Sequence, residues 1–272
     1  MSAWVHTFVA FLVCTLTGVA QQPDHVLRPD TYARGPATEA EAHAHRIIER
    51  AIRAHGGREA WQGKKDASFT TTWTHYQQGR PRFSSRYVVK FPTTPGPRRV
   101  IVEAEENGKP VIMGMSGVRS WFVVGGEPRD DAASLRANRA FVKKAYGLLA
   151  VPFMLDDPSC RFLYDGHEVR GGIDMDRVRA ECGLEPSTLL LFESHDGRLA
   201  GLGSAVTSPP TSTLGEAHDY EVVQGIAIPR MQTFDRVDPS TGEVSRALSV
   251  SVHDVRFDNG FPAEMFEPPA VP

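Results

Sequence analysis

From Ala67 onward, apolar and polar positions alternate with a period of two, the signature of strands that bury one face. Phe69, Thr71 and Trp73 alternate with Thr70, Thr72 and Thr74. In the next run Phe83, Ser85, Tyr87, Val89 and Phe91 share one face, and Arg82, Ser84, Arg86 and Lys90 share the other. Val100, Val102 and Ala104 continue the scheme. Asn107-Gly108 supplies a hairpin turn into 111–115, and Ser116-Gly117 leads to Arg119–Val124, which Gly125-Gly126 ends. Five short strands joined by tight turns predict an antiparallel meander rather than a βαβ array.

Helical spacing brackets this meander. Thr38 followed by Glu41 is a capping-box pattern, and Ile47, Ile48, Ala51 and Ile52 then form one apolar stripe. Gly56-Gly57 stops that helix, because glycine accepts the left-handed backbone a helix end needs. Asp130-Asp131 opens a second helix whose inner face carries Leu135, Val142, Ala145, Tyr146 and Leu149, with Pro152 shortly beyond its end. Strand patterns resume at 161–164, 173–180, 188–194, 199–206, 216–223, 226–237 and 247–255, with turn signals at Asp196-Gly197, Gln224-Gly225 and Ser240-Thr241-Gly242.

The reading is a mainly β (α+β) fold of about 11–12 strands and two helices in one domain over 38–272. Accumulated strand twist prevents so large an antiparallel sheet from lying flat, so it is expected to curl round the helices. Residues 1–20 contain no Lys, Arg, Asp or Glu and end in Gly18-Val19-Ala20, which reads as a signal peptide cleaved near Ala20. Residues 21–37, with Pro23, Pro29, Gly35 and Pro36, read as a polar linker. The expected location is therefore periplasmic or secreted. No later segment has the charge-free length of a transmembrane span. A net charge of -3 with scattered Lys and Arg argues against nucleic acid as a partner. Cys160 and Cys182 either close a disulfide loop in an oxidising compartment or stay as two thiols, and the sequence leaves both open.

Catalytic signatures are sparse. His43-x-His45 lies on a helix, where positions two apart point in different directions, so no metal site is expected there. His195, His218 and His253 each precede an Asp, but strand neighbours face opposite ways, so no oriented His–Asp pair is expected locally. A spatially assembled hydrolase site built on these histidines is the least favoured reading. HExxH, P-loop and nucleophile-elbow patterns are absent. The sequence thus points to a non-enzyme without cofactor or metal. Phe69, Trp73, Phe83, Tyr87, Val89 and Phe91, with Val142, Tyr146 and Leu149 from the second helix, are the candidate lining of an apolar cavity. The same residues also suit a plain core packed on the two helices.

Several segments carry a family resemblance. A capped helix ends in His55-Gly56-Gly57 and is followed by Trp61 and a Thr-rich strand. Later come Asp219-Tyr220-Glu221-Val222-Val223-Gln224-Gly225-Ile226-Ala227-Ile228-Pro229, then Val252-His253-Asp254-Val255-Arg256-Phe257-Asp258-Asn259, then Phe266-Glu267-Pro268-Pro269. With the stretch from Leu149 to Pro158, these resemble the LolA/LolB-like superfamily of envelope lipoprotein carriers, and more closely its outer membrane lipoprotein-sorting relatives. The resemblance implies an unclosed β-barrel with helices plugging its mouth and a concavity holding a lipid or lipoprotein acyl chain. It names no cargo-contacting residue in this chain. The second helix and the loop to Pro158 are the candidate lid. The alternative is a non-catalytic sensor or assembly module whose cup is filled and whose partner is an envelope protein.

Overall fold

Thr38 caps helix α1 (Glu39–Ala54) as the pattern requires. Its hydroxyl accepts from the Glu41 amide at 3.2 Å, and the Glu41 carboxylate accepts from the Thr38 amide at 2.7 Å. Ile47, Ile48, Ala51 and Ile52 are all buried. The computed structural model describes residues 38–94, 98–151, 153, 160–182, 188–204, 215–237, 241 and 243–268. The expected signal peptide, the linker and most of the loop after Val151 lie outside these residues.

His55 follows α1 and is buried, its Nδ1 2.8 Å from the Ala51 carbonyl. A carbonyl only accepts, so Nδ1 carries the proton. Burial pushes the pKa of this imidazole down. Gly56 then adopts φ 110°, and a Cβ there would lie 2.1 Å from the Gly225 carbonyl oxygen. The helix end thus rests directly on a hairpin turn, where the Ala227 amide donates to the His55 carbonyl at 3.2 Å. Two segments that carried the family resemblance meet here. A short helix, α2 (Gly57–Gln62), was not anticipated; six residues are too few to show a helical period. It buries Trp61 against Phe153, with rings stacked 4.5 Å apart.

The strands form one antiparallel sheet of thirteen among the described residues. β1 (Asp66–Gln77), β2 (Arg80–Pro92), β3 (Arg99–Glu106), β4 (Lys109–Ser116), β5 (Arg119–Val124) and β6 (Glu127–Arg129) step outward in sequence order. Helix α3 (Ala132–Ala150) follows. β7 (Cys160–Arg170), β8 (Ile173–Cys182), β9 (Thr188–Glu193), β10 (Leu199–Ser204), β11 (Gly215–Val223), β12 (Ile226–Val237) and β13 (Val244–Phe257) then step back inward. β13 pairs with β1, joining the two meanders, while β6 and β7 are the open edges. The sheet is an unclosed barrel, as expected. The extra strand is β6, three exposed residues including Pro128, which carry no apolar alternation.

α1 and α3 share a single large core with the inner residues of the sheet. Phe69 packs edge-on to Phe91 at 6.4 Å, and Phe91 to Tyr146 at 4.8 Å. The other face of β3–β5 carries a separate cluster: Ile101, Trp121 and Val123 lie beneath Phe266 of the 3-10 turn Ala263–Phe266. Gly114 opposes Trp121, and a Cβ at Gly114 would fall 2.0 Å from the indole, so glycine makes room for the ring. Asp66 ties this C-terminal strap down. Its carboxylate accepts from the Asn259 amide at 2.7 Å, the Asn259 side chain at 2.8 Å, Gly260 at 2.9 Å and Phe261 at 3.1 Å. At the β7–β8 edge Cys160 stands opposite Cys182 in register, and Cys160 is disulfide-bonded.

Candidate ligand cleft

Asp131 caps α3 by accepting from the Ser134 amide at 2.8 Å. Ser134, Ala137, Asn138 and Phe141 then fall on one helical face at spacings of three and four. The front half of this helix carries small residues there, whereas the rear half buries Val142, Leu148 and Leu149. The rear therefore fills the barrel and the front does not. Between the front half and β2–β5 lies a cleft of about 630 Å³, lined from the sheet by Tyr87, Ala104, Val111, Met113 and Phe122. That volume lies within the roughly 300–1,000 Å³ of small-molecule sites.

Phe141 closes one end of the cleft. Its ring lies 5.0 Å from Trp73 and 4.8 Å from Tyr87, and Trp73 is 6.1 Å edge-on from Tyr87. Burial holds the Tyr87 phenol above its ordinary pKa, with the Glu106 carboxylate adding to the effect. Asn138 is only 5% exposed, and its Nδ2 donates to the Trp121 carbonyl at 2.9 Å. Its Oδ1 is buried without a hydrogen-bond partner.

Of the nine residues expected to line a cavity, only Tyr87 borders this cleft, and Trp73 adjoins it through Phe141. Phe69, Val89, Phe91, Val142 and Leu149 are buried in the shared core, and Tyr146 leans half-buried on Phe91. Phe83, 37% exposed, lies outside the core and stacks on His75 at 4.5 Å. The lining residues not anticipated include Ala104, Val111, Met113, Phe122, Asn138 and Phe141. Of these, the alternation marks only Ala104; Val111, Met113 and Phe122 fall in expected strands, and Asn138 and Phe141 in the expected second helix but not among the inner-face residues read there. The missing signal was the pair Ser134 and Ala137, too small to fill the space above β3–β5.

Lys144, one turn beyond Phe141, places its ammonium 5.4 Å from the Trp73 ring and 4.9 Å from the Phe234 ring. It is reached by solvent yet surrounded by protein, and desolvation pushes its pKa down to about 8. It does not line the cleft.

The histidines are arranged differently from expectation. His218 Nδ1 approaches Asp219 Oδ2 at 3.2 Å, because Asp219 has φ 56° and leaves strand alternation. His195 Nε2 lies 3.5 Å from Asp196 in a turn, where alternation does not apply. Neither pair is joined by a serine hydroxyl among the described residues. His253 Nε2 does meet Ser251 Oγ at 2.7 Å, but its Nδ1 faces the Arg230 guanidinium at 3.5 Å, where a triad needs a carboxylate. Glu193, His195 and Asp196 converge within 4.8 Å. Arg198 already occupies that space, 2.5 Å from Asp196 and 3.8 Å from Glu193. On α1, His43 is half-buried and stacks on Tyr164 at 4.0 Å, and the exposed His45 is edge-on to Phe162 at 6.0 Å.

An unclosed antiparallel barrel with a helix laid across its concave face defines a fold class shared with known structures. The chain is similar to a DUF1329 family protein from Desulfovibrio piger, at TM-score 0.54 and 12% identity over 82% of this chain and 97% of that one. A putative outer membrane lipoprotein-sorting protein domain from Vibrio parahaemolyticus gives TM-score 0.54 and 10% identity over 83% and 97%. A LolA superfamily protein from Nitrosomonas europaea gives TM-score 0.54 and 14% identity over 83% and 97%. No protein-family model matches the sequence, and no curated protein matches it significantly. The likeness is one of fold, shared with these three structures, one of which is a LolA superfamily protein.

Proposed function

We propose that the chain is an exported binding or carrier protein of the cell envelope that holds an apolar ligand, the acyl chain of a lipid or lipoprotein, between α3 and β2–β5. The observation that carries this reading is the cleft itself: inward apolar residues of four strands face a helix whose side chains are too small to meet them. Such a surface gains by desolvating an alkyl chain, at about 0.8 kcal/mol per methylene buried. α3 is the natural lid, since it connects the two meanders and its front half lies over the cleft. No helix among the described residues is long and apolar enough to cross a membrane.

Ala137→Phe tests the assignment by filling the cleft from the helix side. A neutral fluorescent alkyl probe is expected to bind the wild type. The variant should bind it roughly tenfold less tightly, the equivalent of about two methylenes excluded. Its circular dichroism and urea midpoint should stay close to wild type. Equal binding by the variant, or no binding by the wild type, overturns the proposal.

A further inference from the structure

Beside the Ser84, Ser85, Ser134 and Asn107 side chains, the cleft border carries three carboxylates against one guanidinium, and this imbalance deepens the carrier reading on which it rests. Four charged residues stand at the edge: Arg86, Glu103, Glu105 and Glu106. Glu103 is held by Lys90 at 2.7 Å, Arg86 faces Asp254 at 3.9 Å, and Glu105 is exposed. Glu106 alternates onto the inner side with Ala104 and Val102, and it interacts electrostatically with the buried Tyr87 phenol. No ion pair reaches it among the described residues. Its cross-strand neighbour Lys109 packs its stem over Gly125 instead.

A buried carboxamide, that of Asn138, also stands on the wall. Its Nδ2 faces the Trp121 and Gly114 carbonyls, at 2.9 Å and 3.5 Å. Flipping the amide would set oxygen against oxygen, so the buried, unpartnered atom is the carbonyl Oδ1. Both unpartnered atoms therefore accept hydrogen bonds. A carboxylate head group offers no donor and repels Glu106. An ammonium supplies donors and a complementary charge, and a hydroxyl supplies a donor alone.

We infer that the cleft selects amphiphiles with a cationic, hydrogen-bond-donating head group over carboxylates of equal chain length, and that Glu106 is the specificity-determining residue. Dodecylammonium and dodecanoate, each below its micelle concentration at pH 7.5, and dodecanol below its solubility limit compete with the neutral fluorescent probe in the test. Dodecylammonium should displace it at about tenfold lower concentration than dodecanoate, with dodecanol between, since a hydrogen bond to a charged group contributes about that factor. Glu106→Gln should bring the ammonium down to the alcohol, and Glu106→Lys should reverse the order, with urea unfolding confirming that both variants are folded. Equal displacement by all three in the wild type, or a preference for dodecanoate, overturns the inference. If Ala137→Phe still weakens binding about tenfold in that case, the cleft stands as the ligand site and the head-group selection alone is lost. If none of the three displaces the probe, or Ala137→Phe has no effect on them, the cleft assignment falls with it.

Discussion

Replacing Asp66 by Ala should loosen the C-terminal strap from the sheet. Asp66 is 4% exposed and accepts four hydrogen bonds from residues 259–261. Each bond to a charged acceptor contributes about 1.5–3 kcal/mol. The donors are close to water and the bonds share one carboxylate, so the contributions do not add; the expected loss is about 3 kcal/mol. Burial by itself would raise the pKa of this carboxyl, but the bonds from Asn259, Phe261 and Gly260 more than offset it and hold the group below its ordinary value. The stabilisation is therefore complete above the unfolded-state pKa of about 4 and fades as pH falls through the lower folded value. Urea unfolding at pH 7 and at several points below pH 4, followed by circular dichroism, measures both effects. Wild type and variant should converge in acid. A loss below about 1 kcal/mol at pH 7, the size of an exposed ion pair, would refute the reasoning.

Two further outcomes follow from other contacts. Gly56→Ala forces a side chain into the left-handed region and against the Gly225 carbonyl, and should cost about 3 kcal/mol by urea unfolding; a neutral effect would mean that the helix end does not rest on the hairpin. The Lys144 ammonium is disfavoured by desolvation in the folded state, so the unfolded chain binds more protons between about pH 8 and its ordinary pKa. Desolvation lowers Lys143 to about 8 as well, so stability should rise across that interval and Lys144→Gln should remove only part of the rise, as unfolding midpoints taken from pH 7.5 to 10.5 would show.

The sequence disclosed faces better than depths. Alternation put Phe91 and Phe83 on one face of one strand, yet Phe91 meets Trp61 and Tyr146 in the core while Phe83 is exposed and stacks on His75. Depth depends on what stands opposite, and that is set by how α3 crosses the sheet, which no local pattern encodes. The cleft was only partly legible for the same reason: 111–115 was recognisable as a strand, but not as one facing alanine and serine. The histidine pairs failed on a different point. Strand alternation presumes extended backbone, and Asp219, at φ 56°, departs from it. Caps, hairpin turns and the helix stop at Gly56 read true because each depends on a few adjacent residues.

The seam between β1 and β13 sets the order in which this molecule can be completed. Thr71 donates its hydroxyl to the carbonyl of Ser251, 180 residues later in the chain. Contacts of such long range form slowly, because a large loop must be closed before they can form. Until the final strand is in place, the inner edges of both meanders, β1 and β12, carry unpaired backbone groups ready to accept any passing strand. A chain cut before Val244 would keep every residue of the cleft and still be prone to aggregate.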